Sequence, residues 1–486
     1  MVDSIELTRK LNAFDVTNLV VGSIVGADIY IAAAIGAKMV GPISLLIWMI
    51  AGIMAIFIAL SFTISASLYP KVGGPYNYAR EAFGEVPGFL VGWSLFLAEW
   101  LSLAVFPEAF TRYFIAFTAI TSPLAPIILK AVFIMIILVT NVVGVKSAGR
   151  FNDYLTIGKL APLALLMLTG LIYVIQDPAQ SLNNFHPVMK GTMADIGHAL
   201  VLIFWAYAGF ELSTLPADEV EEPEKTIPRA IRRGMMIVTV FYMFTNFVII
   251  CVLDQQTLAA SNVPLITASA RIFERLIGLP AVGTFILGIG AIVSVMGADE
   301  SGTLGTSRLA YALSIDGLFP RVFSVKHERL GTPYLGLVIL CVTAFIASVT
   351  STLTALINAS VFLLAFVYLI TCLSALKLEK LNQSALKYSK TIPLIGSLFS
   401  LVLISQVAIN QIFISLILIG LGVPIYTFFS PKKELDELKK IYYSRGETLR
   451  RTYEQGNRFL AHFIRHIKWW IYRETGKERA WKKEEE

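Results

Sequence analysis

The sequence predicts an all-α polytopic membrane protein with about 12 transmembrane helices. Of its 486 residues, 56% are hydrophobic and 15% are charged, and the mean hydropathy of +0.69 lies well above that of soluble domains. Apolar runs of about 20 residues, long enough to cross about 30 Å of hydrocarbon, recur from about residue 14 to about residue 429. The first and sixth of these runs are interrupted by glycines and an acidic residue, which do not suit a continuous membrane helix.

The apolar runs set the expected position of each helix. We expect helices at about 14–38, 43–69, 88–118, 125–145, 152–175, 194–215, 234–253 and 281–304, two more within 333–376, and two within 393–429. The last two contain almost no intramembrane charge, so we expect them at the periphery of the bundle. Apolar residues at helical spacing also predict a short helix outside the membrane near 266–277.

The distribution of basic residues predicts the topology and the domain boundaries. With the N-terminus in the cytoplasm, the outer ends of the helices keep only Lys38, Lys130, Lys190, Arg271 and Arg275, so both termini are expected inside. Residues 1–12 are then a cytoplasmic N-terminus, and 13–430 are the membrane domain. That domain divides into a first repeat (about 13–176), a second repeat (about 193–376) and helices 11 and 12 (about 393–430).

The remaining residues, 431–486, form a charged tail that we expect in the cytoplasm. Within it, residues 459–472 predict a basic amphipathic helix with paired tryptophans. Such a helix either lies on an anionic membrane surface or docks on the cytoplasmic face of the protein itself. The basic residues that give the net charge of +6 lie mainly at the cytoplasmic ends of the helices and in the tail. We therefore expect membrane lipids, and not nucleic acid, as partners.

The interruptions in the first and sixth runs predict a central binding site. Residues 22–28 (GSIVGAD) hold two glycines four residues apart and a carboxylate, and residues 205–211 (WAYAGFE) repeat the small residues, the glycine and the acid. Backbone N–H and C=O groups freed by a break must find partners in protein, ligand or water. Matching breaks five helices apart are typical of two inverted halves whose broken helices meet near the bilayer midplane.

Other ionisable residues in the apolar runs have simpler interpretations. Glu108 and Arg112 are at i,i+4 spacing, which favours a salt bridge without a transport role. Lys159, in the fifth run, either extends its amine to the cytoplasmic interface or pairs with Asp28.

Enzyme chemistry is not predicted. The five histidines are scattered and the three cysteines lie in apolar runs, where buried thiols are expected, so we expect no catalytic residues, metal site or cofactor.

Over about residues 12–430 the chain resembles the amino acid-polyamine-organocation (APC) superfamily of secondary transporters, which has the five-plus-five inverted-repeat fold of leucine-type transporters. Four motifs in the family's order carry the resemblance: residues 22–26 (GSIVG), 73–76 (GGPY), 205–211 (WAYAGFE), and Ser307-Arg308 with Tyr311-Ala312 and Asp316-Gly317. The resemblance implies a permease that moves an amino acid or amine across the plasma membrane by alternating access.

The resemblance also implies a substrate site at the two breaks. A substrate carboxylate would meet the N–H groups of Val25, Gly26 and Ala27, at the positive end of a half-helix. Its amino group would meet the carbonyls near Gly22 and Ser23 and those of the sixth helix, and two aromatic residues would stack over the bound molecule. The expected site residues are Gly22, Ser23, Val25, Gly26, Ala27, Trp205, Ala206, Gly209 and Phe210.

Asp28 departs from the family, which usually has glycine there, and leaves two hypotheses open. In the first, Asp28 pairs with Lys159, because proton-coupled members place a lysine near this break where their relatives hold sodium. Lys159, Asp28 and Glu211 would then couple transport to protons, without sodium. In the second, Asp28, helped by Glu99 and Glu211, binds a polyamine or a basic amino acid. A nutrient sensor that keeps the fold without moving substrate is a further alternative.

Overall fold

The computed structural model describes residues 11–69, 73–118, 120, 122–143, 148–214, 220–327, 330–382 and 390–429. The predictions for residues 1–10 and for the tail 431–486, including its amphipathic helix, lie outside the described residues.

Helices account for nearly all of the described chain. In order they are α1 (Ala13–Ile24), α2 (Ala27–Val40), α3 (Ser44–Leu68), α4 (Pro75–Phe83), α5 (Glu85–Leu103), α6 (Phe106–Thr118), α7 (Ala125–Val143), α8 (Ala148–Gln176), α9 (Pro178–Asn183), α10 (Met193–Trp205), α11 (Pro223–Val252), α12 (Gln255–Ala260), α13 (Pro264–Ile277), α14 (Pro280–Ile315), α15 (Tyr334–Thr350), α16 (Leu353–Asn382), α17 (Thr391–Gln406) and α18 (Ile409–Phe429). A 3-10 turn, Phe210–Thr214, follows α10.

The helices of the described residues form twelve spans. Across the described ranges, nine helical stretches are long and apolar enough to cross a membrane, and three shorter apolar helices, α1, α15 and α17, accompany them. Span 1 consists of α1 and α2, span 2 is α3, and span 3 consists of α5 and α6. Spans 4 and 5 are α7 and α8, span 6 consists of α10 and the 3-10 turn, and span 7 is α11. Spans 8 to 12 are α14, α15, α16, α17 and α18 in that order. The predicted all-α polytopic fold is confirmed.

The packing of the spans follows an inverted repeat. Span 1 packs on spans 5 and 7, and span 6 packs on spans 10 and 2, which is the same pattern moved by five positions. Span 3 packs on span 10, and the corresponding span of the second half, span 8, packs on span 5. Corresponding spans of the two halves also contact each other: span 2 contacts span 7, span 3 contacts span 8, and span 4 contacts span 9. Two five-helix halves related by a pseudo-twofold axis produce this set of contacts.

Several helices differ from their predicted bounds. Helix α11 begins at Pro223 instead of near residue 234, and α16 continues to Asn382. Span 3, expected to be continuous, is divided between α5 and α6, because Pro107 has no N–H to continue the α-helical ladder and stands in the first turn of α6. Helix α14 continues past the expected end to Ile315. The helix predicted near 266–277 is present as α13.

Spans 11 and 12 lie outside the two repeats, as predicted. Helix α17 packs on α16 and α3, and α18 packs on α16 and α5. Large apolar side chains on both helices are exposed, among them Leu394, Ile409 and Ile417, and this surface suits lipid.

Candidate functional site

The break in span 1 separates α1 from α2 at Val25 and Gly26. Val25 has φ −79° and ψ 99°, and Gly26 has φ −145° and ψ −136°, so neither continues the helix. A Cβ added at Gly26 would lie 3.2 Å from the Phe106 ring and would collide with the Ala298 side chain. Glycine is therefore required by close packing around the break.

Lys159 from α8 reaches into this break. Its side chain is fully buried, and Nζ donates a 2.9 Å hydrogen bond to the Gly22 carbonyl oxygen. The amine therefore does not extend to the membrane interface. It forms no ion pair with Asp28 in the described part of the chain, although the carboxyl groups of Asp28 and Glu300 both lie close enough to interact with it. The Gly22 carbonyl, which we expected to face substrate, is thus occupied by Lys159.

Two further donors satisfy carbonyls that the break leaves free. The Tyr242 hydroxyl on α11 donates to the Ile24 oxygen at 3.0 Å, and Ser294 Oγ on α14 donates to the Val25 oxygen at 3.4 Å. Buried carbonyls that lack a helical partner need such donors. Sequence reasoning missed both residues, because a lone tyrosine or serine in an apolar helix carries no local signal.

Asp28 lies in the first turn of α2 and is buried. Its carboxylate interacts with its own backbone N–H, and a Cβ at Gly26 would be 3.0 Å from its Oδ2. Negative charge is favoured at a helix N-terminus by the macrodipole. Asp28 thus lies next to the N–H groups of Val25, Gly26 and Ala27, which the resemblance assigns to a substrate carboxylate.

The break in span 6 lies directly against that in span 1. Helix α10 ends at Trp205, and Gly209 has a φ of 116°, a conformation that favours glycine. A Cβ at Gly209 would be 2.7 Å from the Ser23 carbonyl oxygen. Ser23 Oγ lies 3.0 Å from the Gly209 carbonyl oxygen and 3.0 Å from that of Val20, so its one proton is shared between the second break and its own helix.

The two aromatic residues predicted at the site have different surroundings. Trp205 packs 6.3 Å, between ring centroids, from Phe106, the residue that also approaches Gly26. Phe210 instead lies in an aromatic cluster, 5.3 Å from Phe62 and stacked 5.5 Å from Tyr368. Trp205 therefore adjoins the break in span 1, whereas Phe210 packs between spans.

Three buried carboxylates surround the breaks. Glu211 is fully buried, and both oxygens lack a hydrogen bond of good geometry from the described residues, although Glu99 and Tyr368 lie nearby. The three carboxyl groups lie close enough to repel one another when ionised: Asp28 interacts with both Glu99 and Glu211. The amine of Lys159 lies close enough to Asp28 for an attractive interaction between their opposite charges. A buried surplus of carboxylates favours uptake of protons or cations.

Two other motifs of the resemblance also meet. The Tyr76 hydroxyl, from the GGPY motif, donates to Asp316 Oδ2 at 2.8 Å, and Arg80 reaches the same oxygen at 3.4 Å. Arg80 also pairs with Glu85. This network connects α4 and α5 to the end of α14.

A sequence profile of the amino acid permease family matches residues 11–444. The chain is 29% identical over 364 residues to the cystine/glutamate transporter of Homo sapiens, covering 73% of this chain and 71% of that protein. It is 27% identical over 446 residues to the large neutral amino acids transporter small subunit 2 of Mus musculus, covering 87% and 81%. It is 28% identical over 344 residues to the methylthioribose transporter of Bacillus subtilis, covering 68% and 72%. These relatives are transporters rather than enzymes, and the chain belongs to the amino acid permease family of the APC superfamily.

Proposed function

We propose that the protein is a secondary active transporter that moves amino acids across the plasma membrane by alternating access, with both termini in the cytoplasm. Family membership and the names of two of the three relatives support amino acids as the substrate class. The two helix breaks lie against each other with Trp205 beside them, and this is where we place a bound zwitterion. The carbonyls of Gly22, Ile24 and Val25 already accept hydrogen bonds from the protein, so the substrate would use the other backbone groups of the breaks.

Proton coupling through Lys159 is the second part of the proposal, and the bond from Lys159 Nζ to the Gly22 oxygen is the observation that carries it. A charged amine makes a stronger hydrogen bond than a neutral one. Protonated Lys159 holds α1 against α8, and loss of the proton weakens that contact. Movement of α1 away from α8 would open the site to one side of the membrane, so that proton release accompanies substrate release.

Asp28 and Glu211 complete the proposed coupling site. No ion pair between Asp28 and Lys159 is formed in this conformation of the described residues, so the two charges act on each other at a distance. Glu300 on α14 is a second carboxylate whose charge acts on Lys159. A lysine among several carboxylates can change its protonation with the conformation around it.

Uptake by the purified full chain in proteoliposomes tests this proposal. A panel of radiolabelled amino acids and polyamines is measured with an imposed pH gradient, an imposed sodium gradient, or neither. We expect the pH gradient to drive accumulation of at least one amino acid and the sodium gradient to have no effect. Accumulation that requires sodium would contradict the proposal, and ligand-induced thermal stabilisation without any flux would identify a sensor instead.

A second candidate, transport of polyamines or basic amino acids, is favoured by the three buried carboxylates. Asp28, Glu99 and Glu211 outnumber the one amine of Lys159, and a cationic substrate would pair with whichever of these buried carboxyl groups is ionised. On this account Asp28→Asn abolishes uptake of the cations in the panel and leaves neutral amino acids transported. Loss of neutral amino acid uptake with cation uptake retained would argue against it.

A further inference from the structure

The indole of Trp205 is held by a hydrogen bond from span 6 to span 3. Trp205 is 1% exposed, and its Nε1–H donates to Ser102 Oγ at 3.0 Å. One turn after Ser102, the Phe106 ring lies against the indole at an interplanar angle of 60°. A buried indole N–H that lost its acceptor would carry a desolvation cost, so the hydroxyl and the ring together select one indole orientation.

The Ser102 hydroxyl belongs to a longer chain that reaches span 10. Ser360 on α16 lies 3.0 Å from Ser102, oxygen to oxygen, and also donates to the Ala98 carbonyl oxygen at 2.9 Å. A serine hydroxyl has one proton, and a carbonyl can only accept. Ser360 therefore gives its proton to Ala98 and accepts from Ser102, which in turn accepts from Trp205.

We propose that Ser102 and Ser360 are positioning residues that set the orientation of Trp205 beside the substrate site. Ser360 has two possible acceptors, the Ala98 carbonyl and Ser102 Oγ, but only donation to Ala98 leaves an acceptor for the Ser102 proton, so satisfying every proton fixes the direction of each hydrogen bond. The orientation of the indole thereby depends on the contact between spans 3 and 10. The effect on substrate rests on the proposed function of Trp205 as a substrate contact, whereas the effect on the indole does not.

The experiment combines spectroscopy with transport. The full chain is labelled with 5-fluorotryptophan, and Trp205→Phe assigns one fluorine resonance among the seven tryptophans. Ser102→Ala should shift or broaden that resonance. It should also raise the KM of the amino acid with the fastest uptake by about 2- to 10-fold, which corresponds to the loss of one hydrogen bond. The change in maximal rate should be smaller. Ser102→Thr restores the hydroxyl and should restore both readouts.

Ser94 provides a matched control on the same helix. It is fully buried on α5, and its hydroxyl has no hydrogen-bond partner among the described residues, so Ser94→Ala should change neither readout. A Trp205 resonance that is unmoved in Ser102→Ala would overturn the proposal. A moved resonance with unchanged KM in both Ser102→Ala and Trp205→Phe would uphold the positioning and overturn the proposed substrate contact.

Discussion

Lys159 on span 5 and Gly22 on span 1 are joined by a 2.9 Å hydrogen bond between the lysine amine and the glycine carbonyl oxygen. The bond places the lysine amine at a carbonyl that the helix break leaves without a helical partner, deep within the bundle. It is one of three side-chain bonds to carbonyls around that break, and each comes from a different span. Movement of α1 must therefore break or carry with it contacts to spans 5, 7 and 8.

Tyr242→Phe removes one of these three donors. The Ile24 oxygen would lose its 3.0 Å bond from the phenol and remain buried, at a cost of about 1–3 kcal/mol in the free energy of unfolding. We expect lower thermal stability in detergent and slower uptake in proteoliposomes. Wild-type stability together with wild-type uptake would contradict this account of the break.

Gly209→Ala should disrupt the contact between the two breaks. The residue has a positive φ, and the added Cβ would be 2.7 Å from the Ser23 oxygen, so the two backbones must separate. We expect loss of uptake with the protein still inserted and monodisperse. Gly278→Ala is the control, since Gly278 also has a positive φ but an added Cβ meets nothing within 4 Å. Equal uptake by the two variants would show that close contact at Gly209 is unimportant.

Glu108→Gln should lower stability without changing coupling. The sequence predicts the salt bridge between Glu108 and Arg112, and the structure confirms it at 2.8 Å and adds Lys130 at 2.7 Å. The Lys130 side chain is only 10% exposed, so loss of its carboxylate partner should destabilise the protein by about 1–3 kcal/mol. This is less than for a fully buried pair, because Nζ keeps its 2.8 Å hydrogen bond to the Ser348 carbonyl. Thermal unfolding measures this.

The exposed pair between Glu222 and Lys225 supplies the control for that measurement. Both side chains face solvent, so Glu222→Gln should leave the unfolding temperature unchanged. A change in the ratio of protons to substrate in Glu108→Gln would contradict the structural role of the Glu108 network.

Asp254 gives a pH-dependent prediction outside the membrane spans. It caps α12, and the backbone N–H of Thr257, then the Thr257 hydroxyl and Arg271, lower the pKa of its carboxyl below the usual value. A lowered pKa in the folded state contributes stability above the unfolded pKa of about 3.9 and loses it as the pH falls through the folded value. The difference in unfolding temperature between wild type and Asp254→Ala should therefore shrink below about pH 4. A constant difference across that range would contradict the assignment.

The positions of the breaks could be predicted because glycine and acidic residues are local signals within apolar runs. Residues 22–28 and 205–211 stand out in the sequence, and the inverted repeat follows from their spacing. Pro107 is a local signal for the break in span 3. That break was not predicted, because the surrounding residues read as one apolar run long enough for a single helix.

The partners at the breaks could not be predicted from the sequence. Lys159 binds the Gly22 carbonyl and forms no ion pair with Asp28 among the described residues, a choice between two nearby acceptors that the sequence does not encode locally. Tyr242 and Ser294 are ordinary residues of apolar helices, and only the fold brings them to Ile24 and Val25. Contacts of this kind depend on where distant spans meet.

Accumulation driven by a pH gradient, compared between wild type and Lys159→Ala in sodium-free proteoliposomes, tests the central claim most directly. We predict that Lys159→Ala loses accumulation against a gradient but still exchanges labelled for unlabelled substrate, because the substrate site remains while the proton link is removed. Lys159→Arg should also lose accumulation, since a guanidinium keeps its proton. Accumulation by Lys159→Ala equal to that of wild type would contradict the claim that Lys159 couples protons to transport.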